Sequence, residues 1–274
     1  MSPEPILPSV KSYPKSTDTK WARMGSWLLA LLTFNFALLI SACGLDIEDP
    51  TPPSPPVWVQ KSLPEEWPER GIDAHESGGI YLEWESPIQE EISYYNIYRA
   101  RYFTAIDSQA EYVNIAQLDV ASLTKLEFVD EHTAVGMKYY YKINSEESSN
   151  NFSDYSDSIC FTSLKAIRSG DMYPNGFTET LNSNGYLHWI YEYQIEMEDY
   201  CISILSEESE LVKRVRFNPG NYTGHGQSWH LPNDINLEDG YHYKWRIDTG
   251  AKYVNGIETA ASESPWATFV YTGP

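Results

Sequence analysis

The chain contains one eight-residue pattern twice, and this repeat limits its possible folds more than any other feature. Residues 136–143 and 240–247 each begin with a glycine and continue with large apolar residues that alternate with polar ones. The two copies lie 104 positions apart, from Gly136 to Gly240. Alternation at period two is typical of a strand with one buried face. The repeat therefore predicts two copies of one β domain.

The residues around the repeated strand keep the same spacing in both copies. A tryptophan precedes a tyrosine by 11 residues, and an aspartate precedes the glycine by six. The matched residues are Trp84 and Trp189, Tyr95 and Tyr200, and Asp130 and Asp234. Agreement at several separate places favours a true internal duplication.

In this order of tryptophan, tyrosine, aspartate, glycine and tyrosine, each copy resembles a fibronectin type III domain. The resemblance implies an all-β fold with two tandem immunoglobulin-like β-sandwiches, at residues 64–164 and 166–274. It also implies that Trp84 lies in the core and that a tyrosine of the repeated strand forms a tyrosine corner with upstream backbone.

The second copy departs from this pattern in two places. Residues 168–176 do not have the sequence of an ordinary first strand, and the loop 250–261 is longer than its counterpart. The join at residues 163–169 has no Gly/Pro spacer. We therefore expect burial between the two domains to hold their relative angle.

Residues 1–42 have the composition of a secretory signal peptide. The apolar segment Trp27 to Ile40 is 14 residues long. A helix of this length rises only ~21 Å, which is short of the ~30 Å hydrocarbon core. Basic residues precede the segment, and the small residues Ser41 and Ala42 follow it. An uncleaved membrane anchor is the alternative interpretation.

The end of this segment, Ile40 to Cys43, resembles the lipobox of bacterial lipoproteins. The resemblance implies that Cys43 is lipidated and becomes the mature N-terminus, so that the membrane is a partner through this lipid. The acidic run Asp46 to Asp49 resembles an export tag of some surface-exposed lipoproteins, or simply begins a solvated linker. The expected location is the cell envelope, on the outer membrane, with either face left open.

Residues 43–63 are predicted to be an acidic and proline-rich stalk. The run Pro50 to Pro56 contains five prolines. Such a run favours extended polyproline II at ~3.1 Å per residue, which would hold the folded part roughly 20 Å from the bilayer.

The net charge of −20 excludes several classes of partner. A nucleic-acid-binding surface needs an excess of Lys and Arg, so no nucleic acid is expected. The same charge argues against docking on anionic lipid through protein charge.

The reactive residue types do not form a catalytic or cofactor-binding pattern, so the chain is not predicted to be an enzyme and no cofactor is predicted. His225 and His230 are five residues apart, which places them on opposite faces of a strand, and no metal site is predicted. Cys160 and Cys201 each alternate out of phase with their apolar neighbours, in different domains. Free thiols are the expectation, and a disulfide is the open alternative.

Four aromatic residues are the candidate binding residues. Tyr98 and Tyr140 fall on the outward phase of neighbouring strands, where they form either an exposed platform or a cross-strand pair that shields its own sheet. In the second domain, Trp229 and Tyr253 are the candidates, together with the loop 218–226, because loops often carry binding.

These features predict a lipid-anchored envelope protein that presents two fibronectin type III-like domains for protein–protein contacts, adhesion or scaffolding. The alternative is a surface lipoprotein that binds carbohydrate through exposed Trp and Tyr. The partner is thus an unknown envelope protein or a glycan. The fold alone does not choose between them.

Overall fold

A computed structural model describes residues 51–62, 68–87, 91–101, 111–191, 199–218, 226–254 and 257–273. In these ranges the regular structure is β-strand, apart from two short 3-10 helices at Val120–Ser122 and Ser169–Asp171. None of the helices in these ranges has the length and apolar character that crossing a bilayer requires. The predicted signal peptide 1–42 and the lipidation site Cys43 lie outside the described residues.

The first half of the chain folds into two antiparallel sheets. Its strands are β1 (Val57–Trp58), β2 (Ile72–Ala74), β3 (Ile80–Glu85), β4 (Ile92–Arg101), β5 (Val113–Asp119), β6 (Glu127–Asp130), β7 (Lys138–Glu147) and β8 (Ile159–Ser163). In one sheet β3 bonds to β1, β2 and β6, and in the other the order is β5-β4-β7-β8.

The second half repeats this arrangement. Its strands are β9 (Met172–Tyr173), β10 (Thr180–Asn182), β11 (Tyr186–Ile190), β12 (Asp199–Ser206), β13 (Leu211–Phe217), β14 (Gly226–His230), β15 (His242–Val254), β16 (Ile257–Glu263) and β17 (Ala267–Thr272). One sheet has the order β9-β11-β14. In the other, β13 pairs with β12, β12 with β15, and β15 with both β16 and β17. The predicted all-β fold of tandem sandwiches is confirmed.

The predicted core tryptophans are buried in both copies. Trp84 is 2% exposed and Trp189 is 1% exposed. Trp84 meets the ring of Tyr95 edge-on at 5.4 Å, and Trp189 meets Tyr200 in the same way at 5.5 Å. In each copy the two residues spaced 11 apart thus lie on neighbouring elements of one core, and their rings pack against each other. Such an edge-on ring pair stabilises the fold beyond the burial of its area.

The predicted tyrosine corner occurs twice. The hydroxyl of Tyr139 accepts a hydrogen bond from the backbone N–H of Ala134 at 2.9 Å. The hydroxyl of Tyr243 accepts one from the N–H of Glu238, also at 2.9 Å. Each tyrosine thus satisfies a backbone donor in the connection that leads into its strand.

The match of Asp234 with Asp130 is wrong in the structure. Asp130 is buried and lies opposite Ile80 of β3. In the second copy the corresponding place is taken by Leu231, whose N–H bonds to the carbonyl of Gly185 just before β11. Asp234 is exposed. The connection from β14 to β15 is longer than that from β6 to β7. The residue six positions before Gly240, which is Asp234, therefore lies in this connection and not at the end of a strand.

One sheet continues from the first sandwich into the second. Strand β16 pairs in parallel with β8, with Ala260 opposite Thr162 and Ala261 opposite Ser163. The N–H of Leu164 donates to the carbonyl of Ala261 at 2.7 Å. The result is a ten-stranded sheet that contains strands of both halves.

The two cores also exchange residues across this junction. Ala261 belongs to the second half of the chain but packs in the core of the first sandwich. Leu164 and Ile167, in the join, pack in the core of the second. The long loop noticed at 250–261 is therefore part of the β15–β16 hairpin, which reaches over to the first sandwich.

Part of the predicted stalk lies against the first sandwich. Strand β1 pairs with β3, and the side chain of Trp58 is buried, with its Nε1 donating to the carbonyl of Asp157 at 2.8 Å. Pro53 and Pro56 are buried as well. Polyproline II has three residues per turn, so prolines three apart share one face. This spacing accounts for a packed face within a proline-rich segment.

Candidate binding surfaces

Tyr98 and Tyr140 lie on the outer face of the β5-β4-β7-β8 sheet, as predicted from their phase. Tyr98 is opposite Lys142, and Tyr140 is opposite Ala100. Both side chains are half-buried. The Nζ of Lys138 lies 5.3 Å from the ring centre of Tyr140.

Tyr98 belongs to a group of three tyrosines around one lysine. Its ring meets the ring of Tyr155 edge-on at 5.1 Å. The Nζ of Lys142 lies 4.7 Å from the ring centre of Tyr112 and 5.7 Å from that of Tyr155. We call Tyr98, Tyr112, Tyr155 and Lys142 the tyrosine cluster.

The tyrosine cluster is accessible to a partner. Tyr155 is 51% exposed. Burial, and secondarily the neighbouring Tyr98, raise the pKa of Tyr155, so its hydroxyl stays protonated. The hydroxyl of Tyr112 lies 2.7 Å from Ser158 Oγ. Cation–π contacts and hydrogen bonds thus hold the rings while one remains open to solvent.

Sequence reasoning missed Tyr112 and Tyr155. Tyr112 lies just before β5, and Tyr155 lies in the segment that leads to β8. Neither residue is part of an alternating run, and periodicity was the signal that identified Tyr98 and Tyr140. The pairing of β5 with β4, of β4 with β7 and of β7 with β8 brings them beside Lys142.

A row of amide side chains lies beside the tyrosine cluster on the same face, and two of them, Asn96 and Asn144, are buried. The Nδ2 of Asn96 and the Nε2 of Gln117 both donate to Glu146 Oε2, each at 2.9 Å. Asn144 lies opposite Asn96. Among the described residues, no hydrogen-bond partner exists for its buried Oδ1. This face is therefore polar next to the rings, and its side chains are held in place.

The predicted residues of the second domain are placed differently. Trp229 lies opposite Leu187, half-buried, and packs against the core of the second sandwich. Tyr253 lies in β15 opposite Glu258, and its side chain is outside the described residues. Of the candidate loop 218–226, residues 219–225 are also outside them. Trp229, which was predicted as a binding residue, thus packs against the core of its own sandwich.

A second group of exposed rings lies on the outer face of the β9-β11-β14 sheet. Tyr186 is stacked with His188 at 5.9 Å and meets His230 edge-on at 4.7 Å. Tyr173 lies opposite His188 on the neighbouring strand. We call Tyr173, Tyr186, His188 and His230 the ring face. The sequence prediction considered His230 only as a metal ligand and did not find this group.

The junction of the two sandwiches contains acidic residues from both. The Nη2 of Arg246 lies 2.6 Å from Glu263 Oε1, and its Nε lies 3.2 Å from Asp248 Oδ1. Burial, with Asp248 nearby and Arg246 opposing, raises the pKa of Glu263 to about 8. Burial first, and then the charges of Glu263 and Glu69, raise the pKa of Asp73 in β2 well above its ordinary value.

Two of the three cysteines of the chain lie within the described residues. Cys160 and Cys201 form no disulfide with each other, and Cys201 is buried although it lies on the outward phase of β12. In the described ranges, no three or more His, Cys, Asp or Glu side chains are grouped to hold a metal ion. His225 lies outside those ranges.

Comparison with known proteins finds structural neighbours only. No family model matches the chain, and no curated protein matches it. The chicken CNTN1 FN1-FN3 domains match at 14% identity and a TM-score of 0.30, over 81% of this chain and 68% of that one. An Fn3-like protein from Clostridium thermocellum matches at 20% identity and a TM-score of 0.29, over 42% and 97%.

The twitchin kinase region from C. elegans matches at 13% identity with a TM-score of 0.29, and the match spans only 17% of that chain. All of these scores are low, so the fold assignment rests on the strands of the chain itself. Each half has one layer centred on β3 or β11, a second layer centred on β7 or β15, and a tyrosine corner at the start of β7 or β15, which is the architecture of a fibronectin type III-like β-sandwich.

Proposed function

We propose that the chain is a non-catalytic binding protein of the cell envelope, anchored by lipid on Cys43. Its tyrosine cluster contacts a partner protein, and the paired sandwiches act as the scaffold that presents this surface. The observation that carries the proposal is the group of Tyr98, Tyr112 and Tyr155 around Lys142, in which the ring of Tyr155 is exposed.

The composition of the tyrosine cluster suits a protein partner. Tyrosine is enriched at protein interfaces, where its ring buries area and its hydroxyl still hydrogen-bonds. Lys138 and Lys142 lie on the outer face of β7, so the rings of Tyr140, Tyr112 and Tyr155 have basic neighbours in a chain of net charge −20. The favoured partner therefore carries an acidic surface with apolar or aromatic residues.

The junction supports a scaffold role. The β8–β16 pairing and the exchanged core residues leave no free linker between the sandwiches. A partner bound on the first sandwich would then be held at a set position relative to the second. This arrangement favours presenting a surface over joining domains by a flexible tether.

A capture experiment tests the protein contact. The full-length chain is immobilised and exposed to detergent-solubilised envelope proteins of its host. We expect at least one protein to be retained by the wild type and lost with the double variant Tyr98→Ala and Tyr155→Ala. The control Tyr241→Ala removes an equally exposed tyrosine (54%) from the second sandwich. The same retained set for all three proteins would contradict the proposal.

A labelling experiment tests the anchor separately. Radioactive palmitate fed to cells should label the wild-type chain, and mass spectrometry should find a mature N-terminus at Cys43. The Cys43→Ser variant should lose the label and leave the membrane fraction, because multiple acyl chains supply the binding energy. Label that persists in this variant would contradict lipidation at Cys43.

A further inference from the structure

The ring face lies on a sheet without charged residues. None of the residues of β9, β11 and β14 is Asp, Glu, Lys or Arg. The whole chain has 39 acidic and 19 basic residues, so this sheet differs sharply in charge from the rest. Tyr173 is 55% exposed and Tyr186 is 46% exposed. The result is a solvent-open surface of rings without Asp, Glu, Lys or Arg.

Sheet geometry sets the size of the ring face. Tyr186 lies between His188 on its own strand and His230 on β14, while Tyr173 lies across from His188 on β9. Neighbouring strands are ~4.8 Å apart, so the rings extend roughly 10 Å across three strands. This width accommodates a short run of sugar rings.

The edge strand β14 adds room beside the rings. Besides His230, its outward residues are Ser228 and Gly226, both exposed. A Cβ added at Gly226 would meet no atom within 4 Å. The rings therefore stand above a lower, open strip that carries a hydroxyl group.

We propose that the ring face binds a neutral polysaccharide. A pyranose ring has an apolar C–H face, which packs on an aromatic ring, and a rim of hydroxyl groups. The imidazoles of His188 and His230, the tyrosine hydroxyls and Ser228 can donate to or accept from that rim. This site lies apart from the tyrosine cluster and goes beyond the proposed protein contact.

Charge and composition favour this ligand over others. A polyanion would need Lys or Arg on the sheet, and the three strands carry none. A protein partner would need an apolar centre for its contact. Ile190 is the one aliphatic side chain on the outward phase of these strands. Rings with hydrogen-bonding groups at their edges match a sugar better.

Affinity electrophoresis of the full-length chain tests the proposal. Native gels contain laminarin, mannan or dextran as neutral polysaccharides, and alginate as the polyanion. We expect at least one neutral polysaccharide to retard the chain and alginate to leave its mobility unchanged. Retardation by none of the three, or by alginate most strongly, would overturn the proposal.

Variants then assign the binding to the ring face. Tyr186→Ala should weaken the binding about tenfold, which is the effect of losing one good ring contact. Tyr241→Ala, equally exposed but away from the three strands, should leave it unchanged. Circular dichroism checks the fold, and Tyr173→Ala decides the matter if Tyr186→Ala does not fold. Equal retardation of the ring-face variant and the wild type would overturn the assignment.

Discussion

At the level of residues, three equivalent inward positions hold hydrogen-bonded polar and charged side chains in the first copy and apolar side chains in the second. In the first sandwich Arg99 Nη1 donates to both oxygens of Asp130, at 2.9 and 2.7 Å, and the hydroxyl of Tyr141 donates to Asp130 Oδ2 at 2.9 Å. In the second sandwich the corresponding residues are Ile204, Leu231 and Trp245. All three of these are fully buried.

This comparison predicts how the buried ion pair contributes to stability. Asp130→Ala should lower the free energy of unfolding by about 3–5 kcal/mol, because it leaves the Arg99 charge largely buried without its partner. The triple variant Arg99→Ile, Asp130→Leu and Tyr141→Trp should be as stable as the wild type or more so, since buried ion pairs seldom outperform packed apolar groups. Urea denaturation measures both. A triple variant as unstable as Asp130→Ala would contradict the argument.

The sequence predicts some inward residues and not others for a physical reason. Trp84 and Trp189 are found by their place in an alternating run, which is local information. The partner of Asp130 is not local: Arg99 lies in β4 of one sheet and Asp130 in β6 of the other. Such a pair is determined by how the two sheets face each other, and spacing along the chain does not report it.

At the level of elements, the β15–β16 hairpin is the feature that the second copy adds. Its length is visible in the sequence, but its destination on β8 is not, because an edge strand can pair with any other open edge. The hairpin also brings Asp248 and Glu263 close to Asp73 of β2. Arg246 contacts both Asp248 and Glu263. Glu69, which also raises the pKa of Asp73, has its Oε2 3.9 Å from Lys61 Nζ.

These carboxyl groups predict an unusual pH dependence. The pKa of Glu263, about 8, is higher in the fold than its ordinary value of 4.5, so the fold favours the protonated form. The contribution of protonated Glu263 to stability is therefore complete below pH 4.5 and is lost as the pH rises through 8. The free energy of unfolding falls by at most about 1.4 kcal/mol per pH unit for this one proton. The raised pKa of Asp73 acts in the same direction.

Urea denaturation between pH 5 and pH 8.5 measures this effect. The wild type should lose stability across the range, and Glu263→Gln should give a flatter profile because its side chain cannot ionise. Glu208→Gln, at an exposed position, should retain the wild-type profile. A Glu263→Gln profile as steep as that of the wild type would contradict the role of Glu263.

At the level of the whole molecule, a shared sheet joins the two sandwiches. The short join without Gly or Pro predicted a stiff arrangement, and Leu164 and Ile167 of that join pack in the second core. The contribution of Ala261 to the first core could not be predicted, since it depends on where the hairpin pairs. Local spacing thus predicted each sandwich, whereas their connection depends on long-range strand pairing.

A substitution in the second half of the chain should therefore destabilise the first sandwich. Ala261→Asp places an unpaired carboxylate in the core around Trp84, at an expected cost of about 3–5 kcal/mol. Hydrogen exchange read by mass spectrometry should show faster exchange in β3 and β7, more than 100 residues earlier in the chain. Thr268→Asp, on the outward phase of β17 and opposite Lys244, should leave the exchange of β3 unchanged. If Ala261→Asp accelerated exchange only in β15 to β17, the two sandwiches would be independent units, and the shared sheet would not couple them.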